Sequence, residues 1–218
     1  MNNNLHVVMI DNQDSFTYNL VDELRILGIE LSIYRNTVDV TTIIDALNTA
    51  STSSSAILML SPGPGAPSDA GCMPDAIAHA QGKYPVFGIC LGHQAIVEHY
   101  SGNVNRAPDV MHGKASLMQH DHPLIFGSLD NPMTIARYHS LVATNVPESL
   151  QVIAQSDGLV MAILHQDDKM LGFQFHPESV LTRDGSHLIK QALEFLSDKL
   201  LSAELLTNNN AEASQNGI

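Results

Sequence analysis

The sequence predicts an α/β fold, with a mostly parallel central sheet flanked by helices and with antiparallel strands added to it. Two observations support this prediction. In the first hundred residues, short apolar runs alternate with segments whose apolar residues recur at helical spacing. After residue 101 the apolar runs follow one another with mainly turns between them, which is typical of antiparallel strands.

The first half of the chain is predicted to contain four strands separated by helices. Apolar residues at helical spacing from Phe16 to Leu27 indicate the first helix. Asp14 or Ser15 is the predicted N-cap, and Gly28 is predicted to end this helix. The other helices are predicted over residues 41–47 and 93–100, a surface loop over residues 48–55, and the strands over residues 5–10, 30–35, 56–60 and 85–89.

The second half is predicted to extend or flank the sheet and to close with a helix. Short strands are predicted over residues 115–118, 134–138, 150–154, 159–164 and 171–175, all of them antiparallel. The closing helix is predicted over residues 185–201, because four aliphatic residues form one stripe there. We assign residues 1–201 to one domain, and we expect the polar residues 202–218 to form a disordered tail.

Composition argues against several classes of function. The 218 residues include 23 acidic and 10 basic side chains, and this net charge of −13 argues against a nucleic-acid partner. Cys72 and Cys90 make neither a disulfide framework nor a CxxC pair. The polar residues 1–4 precede only a strand-length apolar run, which predicts neither a signal peptide nor a membrane-spanning segment. We therefore expect a cytoplasmic protein with free thiols and no membrane contact.

The segment GICLG at residues 88–92 holds Cys90 between two glycines where a predicted strand meets a predicted helix. This is the form of a nucleophile elbow, in which glycines let strand and helix approach closely. The positive end of the helix favours the reactive thiolate, and the backbone N–H of Leu91 would face a tetrahedral oxyanion. A small buried cysteine in a glycine-containing turn is the plain alternative, and this segment alone leaves both open. Cys72 has no such setting, so we interpret it as a packing residue.

A candidate general base lies in GFQFHPE at residues 172–178. His176 alternates with Phe173 and Phe175 and therefore faces away from both rings at the end of a strand. Glu178 follows two positions later on the same face, where a carboxylate can fix the tautomer of the imidazole. A surface His-Pro-Glu at a strand end is the alternative. The two weak signals together favour a Cys-His-Glu triad.

Other candidate sites are weaker. His120 and His122 flank Asp121 in a polar stretch with no third ligand at metal-site spacing, so we predict no metal. The sequence contains no G-x-x-x-x-G-K-[ST] motif, and we predict no cofactor in this chain. Gly63-Pro64-Gly65 is either a plain turn or a second source of backbone donors beside Cys90.

Four sequence blocks together resemble the class I (triad-type) glutamine amidotransferases. They are LSPGPG at residues 60–65, GICLGHQ at 88–94, YHSL at 138–141 and GFQFHPES at 172–179. DNQDSFTYNL at residues 11–20 and MHGK at 111–114 are similar to the subunits that serve chorismate-using synthases. AGCMP at residues 70–74 is more similar to the anthranilate synthase branch than to the aminodeoxychorismate synthase branch. The resemblance covers about residues 5–200 and implies a flavodoxin-like fold.

The resemblance also implies a role for each matching residue. Cys90 would attack the side-chain amide of L-glutamine, His176 would act as the base and acid, and Glu178 would orient His176. Gly63, Gly65 and Leu91 would bind the oxyanion or the substrate. The remaining substrate-binding residues implied are Pro64, which has no N–H to donate, together with Gln94, Ser140 and Leu141.

The resemblance implies a partner, because the ammonia released from glutamine must reach a second active site. We expect a larger chorismate-binding synthase subunit, anthranilate synthase component I, in tryptophan biosynthesis. There are three other interpretations. They are the aminodeoxychorismate pathway of folate synthesis (alone or as a second pathway), a non-catalytic regulatory relative, and a cysteine hydrolase of other γ-glutamyl compounds. The intact triad argues against the second of these, and the YHSL and MHGK blocks argue against the third.

Overall fold

The computed structural model describes residues 5–198, which form eleven strands and six α-helices. The strands are β1 (Leu5–Asp11), β2 (Glu30–Arg35), β3 (Ser55–Leu60), β4 (Val86–Ile89), β5 (Asn103–Arg106), β6 (Lys114–His120), β7 (Met133–Arg137), β8 (Leu141–Asn145), β9 (Gln151–Ser156), β10 (Leu159–His165) and β11 (Met170–Phe173). The helices are α1 (Thr17–Ile26), α2 (Val40–Ser51), α3 (Met73–Ala80), α4 (Leu91–His99), α5 (Pro123–Phe126) and α6 (Gly185–Ser197). A single 3₁₀ turn covers Pro67–Asp69.

Nine strands form one sheet in the order β2-β1-β3-β4-β11-β10-β9-β6-β7. The first five strands of this order are parallel, which is the flavodoxin-like order with β11 in the fifth position. From β11 to β7 every pairing is antiparallel. Strands β5 and β8 form a separate antiparallel pair. The predicted α/β fold class is confirmed.

Helices cover both faces of the parallel strands. Along β1, Val7 and Met9 pack in the same apolar cluster as buried residues of α1 and α6. Val8 and Ile10 point to the opposite face and pack with buried residues of α2, α3 and α4. This alternation explains why β1 is apolar along its whole length, since both of its faces are covered.

Several predicted boundaries were wrong. Helix α1 begins at Thr17 with Phe16 as its N-cap, so neither Asp14 nor Ser15 occupies that position. Gly28 does end the helix, with a φ of 70° and a hydrogen bond from its N–H to the Arg25 carbonyl. Helix α2 continues to Ser51 through the first half of the predicted loop, because Leu47 and Ala50 add to its buried stripe.

Other elements were missed or only half described by the sequence. Helix α3 and the β5–β8 pair were not predicted, since their apolar patterns are short or sparse. Strand β11 is antiparallel to β10, as expected, but it is also parallel to β4. Leu200 and the predicted tail of residues 202–218 lie outside the described residues.

Candidate active site

The loops that follow β1, β3, β4 and β11 meet at the carboxyl edge of the parallel strands. This edge is where open α/β sheets bind their ligands. The loops carry Asn12, the Gly63-Pro64-Gly65 turn, Cys90, and the segment from Gln174 to Glu178. Residues separated by more than 160 positions in the sequence are therefore brought to one place.

Cys90 lies at a sharp corner between β4 and α4. Its φ of 52° and ψ of −100° are an uncommon combination for a residue with a side chain, and its N–H donates to the Phe173 carbonyl at 2.7 Å. A Cβ on Gly88 would lie 2.5 Å from the backbone of Gly92, and one on Gly92 would lie 2.5 Å from the Leu60 carbonyl oxygen. Both glycines are therefore required for the strand and helix to come this close.

The two cysteines lie in different environments. Cys72 precedes α3 and is buried against the loop after β2, where its N–H donates to the Asn36 carbonyl at 2.8 Å. Burial raises the pKa of the Cys72 thiol, so the unreactive protonated form is favoured. Cys90 is buried to the same extent, since both residues are 8% exposed, but a side-chain amide contacts its sulfur.

His176 and Glu178 form a buried pair in which imidazole Nδ1 donates to carboxylate Oε1 at 2.7 Å. The two residues are only 2% and 6% exposed. Burial lowers the pKa of His176, but Cys90 and Glu178 outweigh that effect, and the net pKa is raised. Among residues 5–198, no group meets ordinary hydrogen-bond geometry at the other ring nitrogen, Nε2, and Cys90 is the partner that most raises the pKa. The raised pKa favours the protonated imidazole, so His176 is suited to hold the proton that the Cys90 thiol gives up.

The segment that carries His176 leaves the sheet earlier than we expected. Strand β11 ends at Phe173, and the predicted continuation to Phe175 was wrong. The His176 N–H donates to the Ala136 carbonyl at 3.0 Å, and the Thr182 hydroxyl donates to the His176 carbonyl at 2.6 Å. These bonds hold the imidazole in place without a continuous strand.

Two aromatic rings enclose the His176 imidazole. The ring centroids of Phe16 and Tyr138 lie 4.9 and 5.1 Å from that of the imidazole. The Phe16 N–H donates to Asp14 Oδ1 at 2.7 Å, so Asp14 fixes the residue at the start of α1. This contact gives the DNQDSF and YHSL blocks a physical role, because each supplies one ring beside the candidate base.

The Gly63-Pro64-Gly65 turn lies against the residue after the cysteine. A Cβ on Gly63 would be 2.5 Å from Asn12 Cβ and 2.6 Å from Leu91 Cδ2, so only glycine fits there. Asn12 holds the chain before the turn, since its Nδ2 donates to the Ser61 carbonyl at 2.9 Å and its N–H to Ser61 Oγ at 2.8 Å. The two predicted sources of oxyanion donors are therefore adjacent.

Gln94 reaches the YHSL segment from α4. Its Nε2 donates to the Leu141 carbonyl at 3.2 Å and to Gln174 Oε1 at 3.1 Å. The MHGK loop supports this segment from the other side, with backbone N–H groups of Ala107 and Met111 donating to the carbonyls of Ser140 and His139 at 2.8 and 3.1 Å. Gln94 thus links α4 to the YHSL segment, and the assignment of these residues to a glutamine site stays a prediction.

The sequence matches a known protein family over most of its length. The family model for glutamine amidotransferase class-I matches residues 8–195. The chain belongs to this family. Anthranilate synthase component 2 of Vibrio parahaemolyticus is 52% identical over 194 residues, covering 89% of this chain and 97% of that relative. The protein of the same name from Haemophilus influenzae is 46% identical over 195 residues, covering 89% of this chain and 99% of its own.

Solved structures show the same fold. A GMP synthase component from Thermoplasma acidophilum superimposes with a TM-score of 0.77 at 25% identity, covering 91% of this chain and 96% of its own. A glutamine amidotransferase from Thermotoga maritima gives a TM-score of 0.68 at 12% identity, covering 91% of this chain and all of its own, which supports the fold alone.

Sequence reasoning missed several polar residues in the site of this amidotransferase. Gln174 contacts the Cys90 sulfur, His139 is buried within the YHSL block, and Arg137 is buried just before it. The alternation that pointed to His176 also placed Gln174 on the same side, so a signal for it was present. Arg137 gave no signal, because a lone arginine in a short strand predicts an exposed position.

The histidines around Asp121 pack against other groups of the second half of the chain. Within residues 5–198, no group of three or more His, Cys, Asp or Glu side chains is placed to hold a metal ion. His120 instead stacks on Phe126 with ring centroids 4.7 Å apart, and its Nε2 lies 3.1 Å from the Asp130 carbonyl oxygen. None of the helices in the described part of the chain is long and apolar enough to cross a membrane.

Proposed function

We propose that this chain is the glutamine-hydrolysing subunit of an anthranilate synthase and supplies ammonia for tryptophan biosynthesis. The observation that carries the proposal is the strained Cys90 corner beside the buried His176–Glu178 pair. The names of the relatives from Vibrio parahaemolyticus and Haemophilus influenzae support the anthranilate assignment, since nearly the full length of each relative is covered.

Hydrolysis begins with the Cys90 sulfur. His176 Nε2 takes the thiol proton, and the sulfur attacks the side-chain amide carbon of L-glutamine. The resulting imidazolium is stabilised by Glu178 and returns the proton to the amide nitrogen, which leaves as ammonia. A water molecule activated by His176 then attacks the γ-glutamyl thioester, which releases glutamate and restores the thiol.

The negative oxygen of each tetrahedral intermediate would be stabilised by backbone N–H groups. Leu91 supplies one donor at the first position of α4, where the positive end of the helix also favours negative charge. Gly63 or Gly65 supplies the second, because Pro64 has no N–H. The close contact of Gly63 with Leu91 is consistent with two donors around one oxygen.

The amino-acid end of glutamine would bind at Gln94 and the backbone of Ser140 and Leu141. The Nε2 group of Gln94 already donates to two oxygen atoms. Its Oε1 is therefore the group left to meet the substrate, and an oxygen acceptor suits the α-ammonium of glutamine. This orientation gives Gln94 a defined task in substrate selection.

The partner would be a larger, chorismate-binding protein, anthranilate synthase component I. The curated relatives are named component 2, which implies a further component, and free ammonia would otherwise be lost to water. We further propose that the chain works in the cytoplasm, because both of its cysteines are unpaired thiols and a thiol nucleophile needs a reducing compartment.

The test combines the purified chain with an anthranilate synthase component I and compares glutamine with ammonium chloride as nitrogen source. Cys90→Ser should abolish glutamine-dependent anthranilate formation and leave ammonium-dependent formation intact. Cys72→Ser is the matched control and should retain both. Survival of glutamine-dependent activity in Cys90→Ser would overturn the mechanism. Formation of aminodeoxychorismate with the synthase of that pathway, and no anthranilate with component I, would overturn the pathway.

A further inference from the structure

The side-chain amide of Gln174 is a polar group in the site to which the hydrolytic mechanism gives no task. Gln174 follows the last residue of β11 and is fully buried. Its Nε2 lies 3.8 Å from the Cys90 sulfur, within the longer hydrogen-bond range of that atom. The backbone N–H of Gln174 is bonded separately to the Met161 carbonyl at 2.9 Å, so the residue is anchored independently of its amide.

The orientation of the Gln174 amide can be assigned by starting from the Leu141 carbonyl. The Leu141 carbonyl can only accept hydrogen bonds, so the Gln94 atom that faces it at 3.2 Å must be the NH₂ group. The same NH₂ group faces Gln174 at 3.1 Å, where it requires an acceptor. Gln174 must therefore turn Oε1 toward Gln94, and its own NH₂ group toward the sulfur.

The Leu141 carbonyl is itself held from a second direction. His139 Nδ1 lies 3.1 Å from that oxygen, and the Arg137 Nε–H donates to His139 Nε2 at 3.2 Å. Since the arginine can only donate, Nε2 is the acceptor and Nδ1 carries the proton. The chain of hydrogen bonds from Arg137 to Gln174 thus assigns every donor and acceptor consistently, and it ends at Cys90.

We propose that Gln174 is a further catalytic residue, which donates an N–H to the Cys90 sulfur and so favours the thiolate. A hydrogen bond to a charged acceptor is stronger than one to the neutral group, so this contact stabilises the ionised form more than the thiol. The inference rests on the proposed function for the identity of the nucleophile. It assigns Gln174 a role separate from the His176–Glu178 pair, which handles the proton.

The test is the alkylation of Cys90 by iodoacetamide at pH 7, followed by peptide mass spectrometry, which requires no glutamine. Gln174→Met keeps the length of the side chain and removes the donor, so the rate should fall about tenfold, the factor expected for one hydrogen bond to a charged group. Gln166→Met, in the exposed hairpin before β11, is the matched control and should react at the wild-type rate.

The pH dependence separates the proposed role from a merely structural one. Raising the pH favours the thiolate of any cysteine, so the difference between the wild-type and variant rates should shrink from pH 7 to pH 10. A difference that persists unchanged at pH 10 would indicate altered access to the sulfur and would overturn the inference. Equal rates at pH 7 in folded Gln174→Met, or in Gln174→Leu should the first variant not fold, would also overturn it.

Glutamine hydrolysis by the same proteins distinguishes failure of this inference from failure of the proposed function. Gln174→Met should lower the glutaminase kcat about tenfold and change KM much less, because the donor acts on the nucleophile. Suppose that Gln174→Met is alkylated more slowly than wild type, but the wild-type chain does not hydrolyse glutamine with its partner. The proposed function then fails, and the role of Gln174 stands. If it hydrolyses glutamine and Gln174→Met reacts like wild type, the inference alone fails.

Discussion

The parallel and antiparallel halves of the sheet contribute to the candidate site in different ways. The parallel half, from β2 to β4, provides the Cys90 corner through short-range backbone geometry, with two glycines at close contacts. The antiparallel half provides buried polar side chains, including Arg137 and His139, which hydrogen-bond to each other and, through His139, to the Leu141 carbonyl. Strand β11 belongs to both halves, and the residues after it complete the site. The parallel half therefore positions the nucleophile, and the antiparallel half positions polar residues around it.

The largest expected effect comes from a substitution at Glu178, in the segment after β11, the strand that belongs to both halves. Glu178→Gln should lower the glutaminase kcat about a thousandfold, because the imidazolium of His176 loses its stabilising carboxylate. KM for glutamine should change little, since Glu178 is buried behind the imidazole. Steady-state kinetics of the complex with its partner measure both. Glu148→Gln, at an exposed position near β9, is the control, and a similar loss there would contradict the assignment.

A pair of glycine substitutions compares the halves directly. Gly92→Ala places a Cβ 2.5 Å from the Leu60 carbonyl oxygen, so we expect a loss of about 3 kcal/mol in the free energy of unfolding. Glutaminase activity should be lost with it. Gly158→Ala, in the β9–β10 turn, meets no atom within 4 Å and has only the strain of its positive φ, about 1 kcal/mol.

Urea unfolding midpoints and glutaminase kcat measure these two effects. Equal losses of stability in both variants would show that the Cys90 corner is no more constrained than a surface turn. Full activity in Gly92→Ala would show that the close approach of α4 to β3 is not required for catalysis.

Each half buries one neutral histidine, and this makes stability depend on pH. Burial lowers the pKa of His93 in α4 to about 3, and burial followed by Arg137 lowers that of His139 to about 4. As pH falls below 6.5 the unfolded chain gains protons that the folded chain does not, so the free energy of unfolding falls. Between pH 6.5 and 5 each histidine should contribute a loss of about 2 kcal/mol.

Urea unfolding at several pH values measures this dependence. His93→Leu should reduce the slope by about one proton over that range. An unchanged slope would mean that His93 is protonated in the folded protein. His176 has the opposite effect on stability, because its pKa is raised in the folded protein. Its contribution to the free energy of unfolding is present below pH 6.5 and is lost as the pH rises above that value.

The smallest expected effect lies at the outer end of the antiparallel half. Arg137 Nη1 lies 3.3 Å from Asp157 Oδ2, but the Asp157 side chain is 76% exposed. Arg137 is buried, but asparagine keeps an oxygen that can accept its N–H, so Asp157→Asn should cost only about 0.5 kcal/mol and leave glutaminase activity unchanged. Thermal unfolding and kinetics check this outcome. A loss of activity would show that the hydrogen-bond chain from Arg137 to Gln174 depends on the charge of the Asp157 carboxylate.

The sequence predicted the parallel half better than the antiparallel half for a physical reason. Strands covered on both faces are apolar throughout, and the glycines around Cys90 report close backbone contacts, so both features are local in sequence. Strands β5 and β8 are short and partly exposed, and their pairing joins residues about forty positions apart. No local pattern encodes such a pairing.

In the candidate site, too, the features that are local in sequence were predicted and those that depend on distant segments were not. Cys90, His176 and Glu178 could be proposed from two short segments because each segment carries its own geometry. The burial of Arg137 and the contact of Phe16 with His176 depend on how distant segments pack together. The assignment of Asp14 as an N-cap failed because its carboxylate binds the N–H of Phe16, one residue before the helix begins.

The most direct measurement of the central account is covalent labelling with an electrophilic glutamine analogue, followed by peptide mass spectrometry. The account predicts that Cys90 is labelled, that glutamine protects it, and that His176→Asn slows the labelling about a hundredfold or more. Labelling of Cys72 instead, or labelling of Cys90 at the same rate without His176, would contradict it.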